Sequence, residues 1–259
     1  MHLLLYDESR VENFHVTEVE DYLKERLPRA EISLTEGLLR RGLMEGLVDA
    51  LAMEFTKIRV LNAYKPFRPN EPMTGEISFE ERVIRREALP LGILYDGLRL
   101  QELYQGLIQR ERRSFNYHHI IFTDRFFGTY DEDDLRYHGR VIILGYPTLI
   151  STTGLVEAPA KPREFYVARR LGRNKEELKE MLAERFIDYE DERMTEVLKG
   201  YAMQGVFYHL TGDAFCESKG CRLYNAHWQE EVLKAQLAEP EFCERHREML
   251  SNLKGVSDP

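Results

Sequence analysis

A chain of 259 residues with 36 Lys and Arg against 45 Asp and Glu carries a net charge of −9, and 43% of it is hydrophobic. That is enough apolar material for one large domain or two small ones burying roughly 70–75% of the surface an unfolded chain exposes, which excludes disorder and a disulfide-stapled scaffold. The acidic balance argues against a nucleic-acid partner, because phosphates are bound by Lys and Arg with counterion release.

Clusters such as Arg82, Arg85 and Arg86, or Arg169, Arg170 and Arg173, read as solvated helix faces and ends. No run approaches the ~18 apolar residues of a membrane span, so no membrane partner is expected. The opening MHLLLYDESR lacks the charged n-region and long apolar h-region of a signal peptide, and a cytoplasmic location is expected.

His2–Tyr6 reads as a strand, and a helix is expected from Glu18 to Leu27, where Tyr22, Leu23 and Leu27 recur at helical spacing. A strand over Glu31–Leu34 then leads into one helical stretch from about Leu38 to Phe55. Tyr64–Phe79, with Pro66, Pro69, Pro72, Asn70 and Gly75, reads as an irregular excursion. A helix is predicted over Leu94–Ile108, followed by strands at His119–Thr123 and Arg140–Leu144 with the acidic turn Tyr130–Asp134 between them.

Ser151–Tyr166 reads as a long polar loop. Its Glu157, Lys161, Arg163 and Tyr166 would suit an anionic or peptide-carboxylate ligand. Asn174 followed by Glu177 predicts a capping box opening a helix to about Ile187. A second helix from Met194 should stop at Gly212, and two more are expected near His227–Leu237 and Pro240–Leu253, the latter opened by Pro240. The pattern predicts an α/β (α+β) fold, a mixed β-sheet packed on helices over residues 1–212, with a small helical zinc-binding subdomain over 213–259.

The most specific signal is chemical. All three cysteines lie in the last fifth of the chain, as Cys216-x₄-Cys221 and then Cys243-x₂-His246. In a reducing compartment such spacing favours metal over disulfide. Gly220 allows the first pair a tight turn, and the i, i+3 second pair shares one helical face. Three thiolates and an imidazole complete a tetrahedral Zn²⁺ and leave no open position for water, so the expected site is structural. His227 is the rival fourth ligand.

Reading back from Cys216 gives Gly205-Val206-Phe-Tyr-His209-Leu-Thr-Gly212-Asp-Ala-Phe215-Cys216-x₄-Cys221. This resembles the archaemetzincin metallopeptidases, whose H-E-x-x-H-x-x-G-x-x-H is followed directly by C-x₄-C and, further on, by C-x-x-C. His209, Gly212, Cys216, Cys221 and Cys243 keep the register, and His246 stands where that family has its last Cys. The resemblance extends upstream to Tyr95–Arg99 and to the run from Ile121–Asp124 to Val141–Ile143, about two thirds of the chain. It implies a metzincin-like scaffold with His209 at the floor of a former cleft.

The departures matter more than the matches. The positions of the first metal His, the catalytic Glu and the third metal His hold Gly205, Val206 and Phe215. The expectation is therefore a catalytically degenerate, pseudopeptidase-like zinc protein holding a peptide or protein, with Tyr208 and Phe215 filling the old metal pocket. The alternative is a divergent metal-dependent hydrolase rebuilt around His209 from groups such as His118, His119, Asp124 or His138. No phosphate loop, dinucleotide fingerprint or nucleophile elbow is present. Ser151 with His138 is the one nucleophile and base that could be imagined.

Overall fold

The computed structural model describes residues 1–255; residues 256–259 of the expected C-terminal subdomain lie outside them. In chain order the elements begin with β1 (His2–Glu8), α1 (Val16–Arg26), β2 (Glu31–Thr35), α2 (Leu38–Met44), α3 (Val48–Lys57), α4 (Thr74–Ile84), β3 (Leu94–Asp96) and α5 (Gly97–Leu107). Next come β4 (Tyr117–Thr123), β5 (Phe126–Asp131), β6 (Arg136–Arg140), β7 (Ile142–Ile143), β8 (Thr148–Ser151), α6 (Thr152–Glu157) and α7 (Arg163–Arg170). The remainder is helical, with α8 (Lys175–Leu182), α9 (Met194–Thr211), α10 (Gln229–Gln236) and α11 (Glu244–Gly255).

The chain forms two compact units, one of Met1–Val11 with Glu31–Ala158, the other of Glu12–Ala30 with Pro159–Pro259. The first holds the strands. A five-stranded sheet runs in the order β2-β1-β4-β8-β7, with β7 antiparallel to β8 and the other pairs parallel, and a three-stranded sheet runs β3-β5-β6. The fold is mixed α/β, as expected.

Several expected boundaries move, each for a local reason. Leu38–Phe55 is two helices, because Gly46 takes φ +73° between them. Leu94–Asp96 is a strand paired with β5, and α5 starts only after Asp96, whose carboxylate accepts the Arg99 N–H at 3.0 Å. The acidic turn joins β5 to β6, and the run RVIIL is shared between the end of β6 and the short β7. Pro240 opens no helix, since α11 begins at Glu244.

The largest correction is Ser151–Tyr166, which is helical over much of its length. Ser151 Oγ accepts the Gly154 N–H at 2.7 Å and so starts α6, while Leu155 and Val156 are buried. Hydroxyl groups that suggested solvent instead bind the ends of the strands. Thr152 Oγ1 donates to the Thr123 carbonyl, Thr153 Oγ1 to the Asp124 carbonyl, and Ser9 Oγ lies 3.1 Å from Thr152 Oγ1.

The Pro-containing excursion is irregular only up to Met73. It then becomes α4, which carries Glu80 into the interior. Glu80 is fully buried and receives Arg59 Nη2 on Oε1 at 2.7 Å and Arg125 Nη1 on Oε2 at 2.7 Å, with the Tyr95 hydroxyl donating to Oε1 at 2.6 Å. The Arg125 guanidinium also lies over the Phe55 ring at 3.7 Å. Burial alone would raise Glu80, but Arg125, Tyr95 and Arg59 outweigh it and hold the carboxyl below its usual range.

Truncating Glu80→Ala strands two buried guanidinium groups, so urea titration should show a loss of about 3–5 kcal/mol. Glu8 behaves in the opposite way. Burial pushes it up to about 7 against the N–H of Leu39, and its ordinary value is 4.5. A raised folded-state pKa contributes stability below about pH 4.5 that is lost as pH rises through about 7, about 3 kcal/mol in all. Stability measured across that interval should fall more steeply for the native chain than for Glu8→Gln.

Candidate metal centre

In the second unit α9 ends where expected, at Gly212 with φ +76°. The chain then turns sharply: Phe215 N–H donates to Asp213 Oδ1, and Asp213 N–H to Thr211 Oγ1. Cys216 is fixed by its N–H to the Leu223 carbonyl at 2.9 Å. The turn between the first two cysteines is held by Ser218, whose N–H points at Cys216 Sγ at 3.4 Å and whose carbonyl accepts the Cys221 N–H at 3.0 Å. Gly220 has no left-handed backbone, so the turn does not require glycine there.

Cys243 directly precedes α11 and His246 lies in its first turn. The second pair is thus an N-terminal cap position and a first-turn residue, and the i, i+3 spacing brings their side chains together on one side of the helix start. Ligand atoms of Cys216, Cys221, Cys243 and His246 all lie within 4.8 Å of one another. Cys216 Sγ to Cys243 Sγ is 3.8 Å, Cys221 Sγ to His246 Nδ1 is 3.5 Å, and Cys243 Sγ to His246 Nδ1 is 3.2 Å. With metal bonds of ~2.3 Å to sulfur and ~2.0 Å to nitrogen, the edges of a zinc tetrahedron are about 3.5–3.8 Å. Donor type and spacing both fit that ion.

The electrostatics point the same way. Burial pushes the Cys221 thiol up to about 12 and raises Cys216. Cys243 moves down, because the backbone N–H groups of His246 and Arg245 at the start of α11 and the neighbouring thiols outweigh its burial. Burial lowers His246, leaving the neutral imidazole a ligand needs, and its ring sits edge-on to Phe207 at 5.4 Å. A divalent cation reverses the preference for protonated sulfur.

Around the cluster, Arg222 joins the loops to the helices. Its guanidinium meets Glu196 and donates to the Gln236 carbonyl at 2.8 Å, while its own carbonyl accepts Gln236 Nε2 at 2.9 Å. The ring of Tyr22 of α1 has the cations Arg26 and Arg222 5.0 and 5.1 Å from its centroid, and its hydroxyl donates to Glu241. Glu241 also takes a bidentate contact from Arg26. The sequence reading missed this ring of charges, since its members come from α1, α9 and two loops.

Other expected site residues are dispersed. His227 is exposed and outside the cluster, its N–H donating to Glu231. Glu157 ends α6 in the first unit, whereas Lys161, Arg163 and Tyr166 belong to the second, so the four do not share one loop. His119 is held between the Tyr6 hydroxyl at 2.9 Å and the Arg112 carbonyl at 3.0 Å, and Asp124 pairs with Arg10 at 3.0 Å. His138 faces Asp134, whose backbone N–H caps Asp131. Ser151 is occupied as a helix cap and donates to the Arg125 carbonyl. Tyr208 and Phe215 are 39% and 36% exposed.

A sequence model of the family described as "Probable metallopeptidase family (DUF6775)" matches residues 1–253, and the chain belongs to that family. No curated relative matches. Among solved structures, an archaemetzincin from Methanopyrus kandleri is 14% identical, covers 99% of this chain and 96% of its own, and has a TM-score of 0.46. A zinc-dependent peptidase from Methanocorpusculum labreanum, also 14% identical, covers 96% of this chain and 99% of its own, with a TM-score of 0.46. Among the described residues no helix is long and apolar enough to cross a membrane.

Gly200 of α9 faces this scaffold without a side chain for a reason. A Cβ there would lie 1.6 Å from Gln236 Oε1 and 2.7 Å from Arg222 Cγ. Gly200→Ala should therefore cost about 1–3 kcal/mol in a denaturant titration, as overpacking does, although alanine is the better helix former.

Proposed function

We propose that this member of the metallopeptidase family is a zinc protein without hydrolytic chemistry. In this reading Cys216, Cys221, Cys243 and His246 hold one structural Zn²⁺, and the surface around His209 binds a peptide or protein segment without cutting it. One observation carries the loss of catalysis: Gly205 and Val206 are buried in α9, Val206 with no exposure at all. Where the resemblance expects a metal imidazole and a general base, these residues pack the interior. A hydrolytic zinc needs three protein ligands, a bound water and a base for its proton. A lone imidazole at His209 supplies one of these.

A zinc with four protein ligands supplies a cross-link, here between the loop after α9 and the start of α11. Peptide binding is supported by the end of α9, where half-buried His209 is flanked by the exposed Tyr208, Leu210 and Phe215, the last two 38% and 36% exposed. Reduced thiols suit a cytoplasmic protein, and no nucleic-acid or membrane partner enters this reading. A hydrolase rebuilt around His209 requires a second group of metal ligands. Among the described residues the Cys₃His cluster is the sole group of three or more.

Elemental mass spectrometry on untagged protein should find about one zinc per chain. Cys221→Ala should lose it and melt at a lower temperature, because binding energy at such a site is folding energy. Casein and peptide libraries should remain uncut at any zinc level. Chelator-sensitive cleavage that disappears in His209→Ala would overturn the non-hydrolytic reading, and metal surviving Cys221→Ala would overturn the assigned ligands.

A further inference from the structure

Helix α7 is held to the second unit by little of its surface. Ala168 is buried and Phe165 packs on Phe186 at 5.2 Å, but Tyr166, Val167 and Leu171 are 46%, 57% and 78% exposed. Tyr166, Val167, Arg170 and Leu171, at i, i+1, i+4 and i+5, turn one apolar and cationic face to water. The same segment carries Lys161, Arg163 and Arg169, and neither Arg163, Arg169 nor Arg170 makes an ion pair among the described residues. Its one acid, Glu164, is taken by Arg185 at 3.1 Å.

Next to this helix is a groove of opposite sign. It encloses about 390 Å³ and is lined by Phe186 and by five carboxylates against Lys179 and Arg193. Lys179 is engaged by Asp188 and Glu190, and Arg193 by Asp191, which leaves Glu184 and Glu192 without an ion-pair partner among the described residues. Phe186 belongs to both features, packing on α7 and lining the groove.

The geometry points to a second copy of this chain as the occupant. A patch that is cationic and apolar on one side and acidic on the other is complementary to itself under a two-fold rotation, and an isologous contact uses it twice. The cationic face of α7 in one copy then meets the acidic groove of its partner, and the reverse contact forms at the same time. Interface size favours this occupant over a lone acidic peptide. An eight-residue helix is only about 12 Å long. One such contact falls short of the ~1,000 Å² a specific interface buries, and the symmetric pair comes closer. An anionic membrane would attract α7 but repel the carboxylates beside it.

Sedimentation velocity over the micromolar range tests this with charge reversals on exposed residues. Wild type should show a concentration-dependent dimer. Arg169→Glu/Arg170→Glu and, separately, Glu184→Lys/Glu192→Lys should each weaken self-association about tenfold or more. An equimolar mixture of the two variants should recover the dimer, because each reversed face then meets its opposite. Unchanged melting temperatures would show that both variants fold. A wild type that stays monomeric, a dimer indifferent to either reversal, or variants that do not recover on mixing would overturn the proposal. So would a monomer that co-sediments with phosphatidylglycerol vesicles through Arg169 and Arg170.

Discussion

Three thiols and an imidazole gathered within 4.8 Å are stable together only on terms set by charge. Without a cation, burial holds the sulfurs of Cys216 and Cys221 protonated, and their lone pairs crowd one another. With a divalent cation, the same crowding becomes coordination. Several local features of the second unit converge on that cluster. The Gly212 stop, the Ser218 turn and the cap position of Cys243 each bring one ligand to the same point. Arg222 and Glu241 then keep the contributing segments in register through Tyr22 and Arg26.

The first unit solves a related problem without metal. Glu80 is as deeply buried as Cys221, yet two guanidinium groups and a phenol satisfy it. Such a network is unforgiving of the loss of one partner, since the remaining charges have no route to water. Glu8, buried against backbone N–H groups with a more distant Arg86 and the like charge of Asp7 nearby, is not compensated to the same degree and is pushed up to about 7. Two carboxylates in one core thus differ in protonation because one has fixed cations in contact and the other does not.

The Cys₃His cluster was legible in the sequence because four residues of two scarce, metal-ligating types recur at short paired spacings. The capping box at Asn174 and Glu177 was legible for a similar reason: both reciprocal contacts form, at 2.9 and 3.1 Å. Ser151–Tyr166 was misread because Ser and Thr are ambiguous. Their hydroxyls serve solvent in a loop and backbone carbonyls in a core, and only the neighbouring strands decide which. Glu80 and Arg125 carried no signal, because an isolated charged residue looks the same whether its partners are water or residues 21 and 45 positions away. The Pro-containing segment concealed α4 by the same limit, as local composition described its first half and tertiary burial its second.

Burial on α9 also limits the chemistry that its residues can do. A metal imidazole and a general base must face a water-filled site, so the positions carrying them keep one side of the helix open. Here Gly205 and Val206 are enclosed along with Ala202, Met203 and Phe207, while His209, a turn further on, still reaches the surface. Replacing Val206 by Glu would place a carboxylate where no solvent reaches, at the cost of an unpaired buried charge. The Cys₃His cluster is free of that constraint, because a closed four-ligand site is compatible with burial.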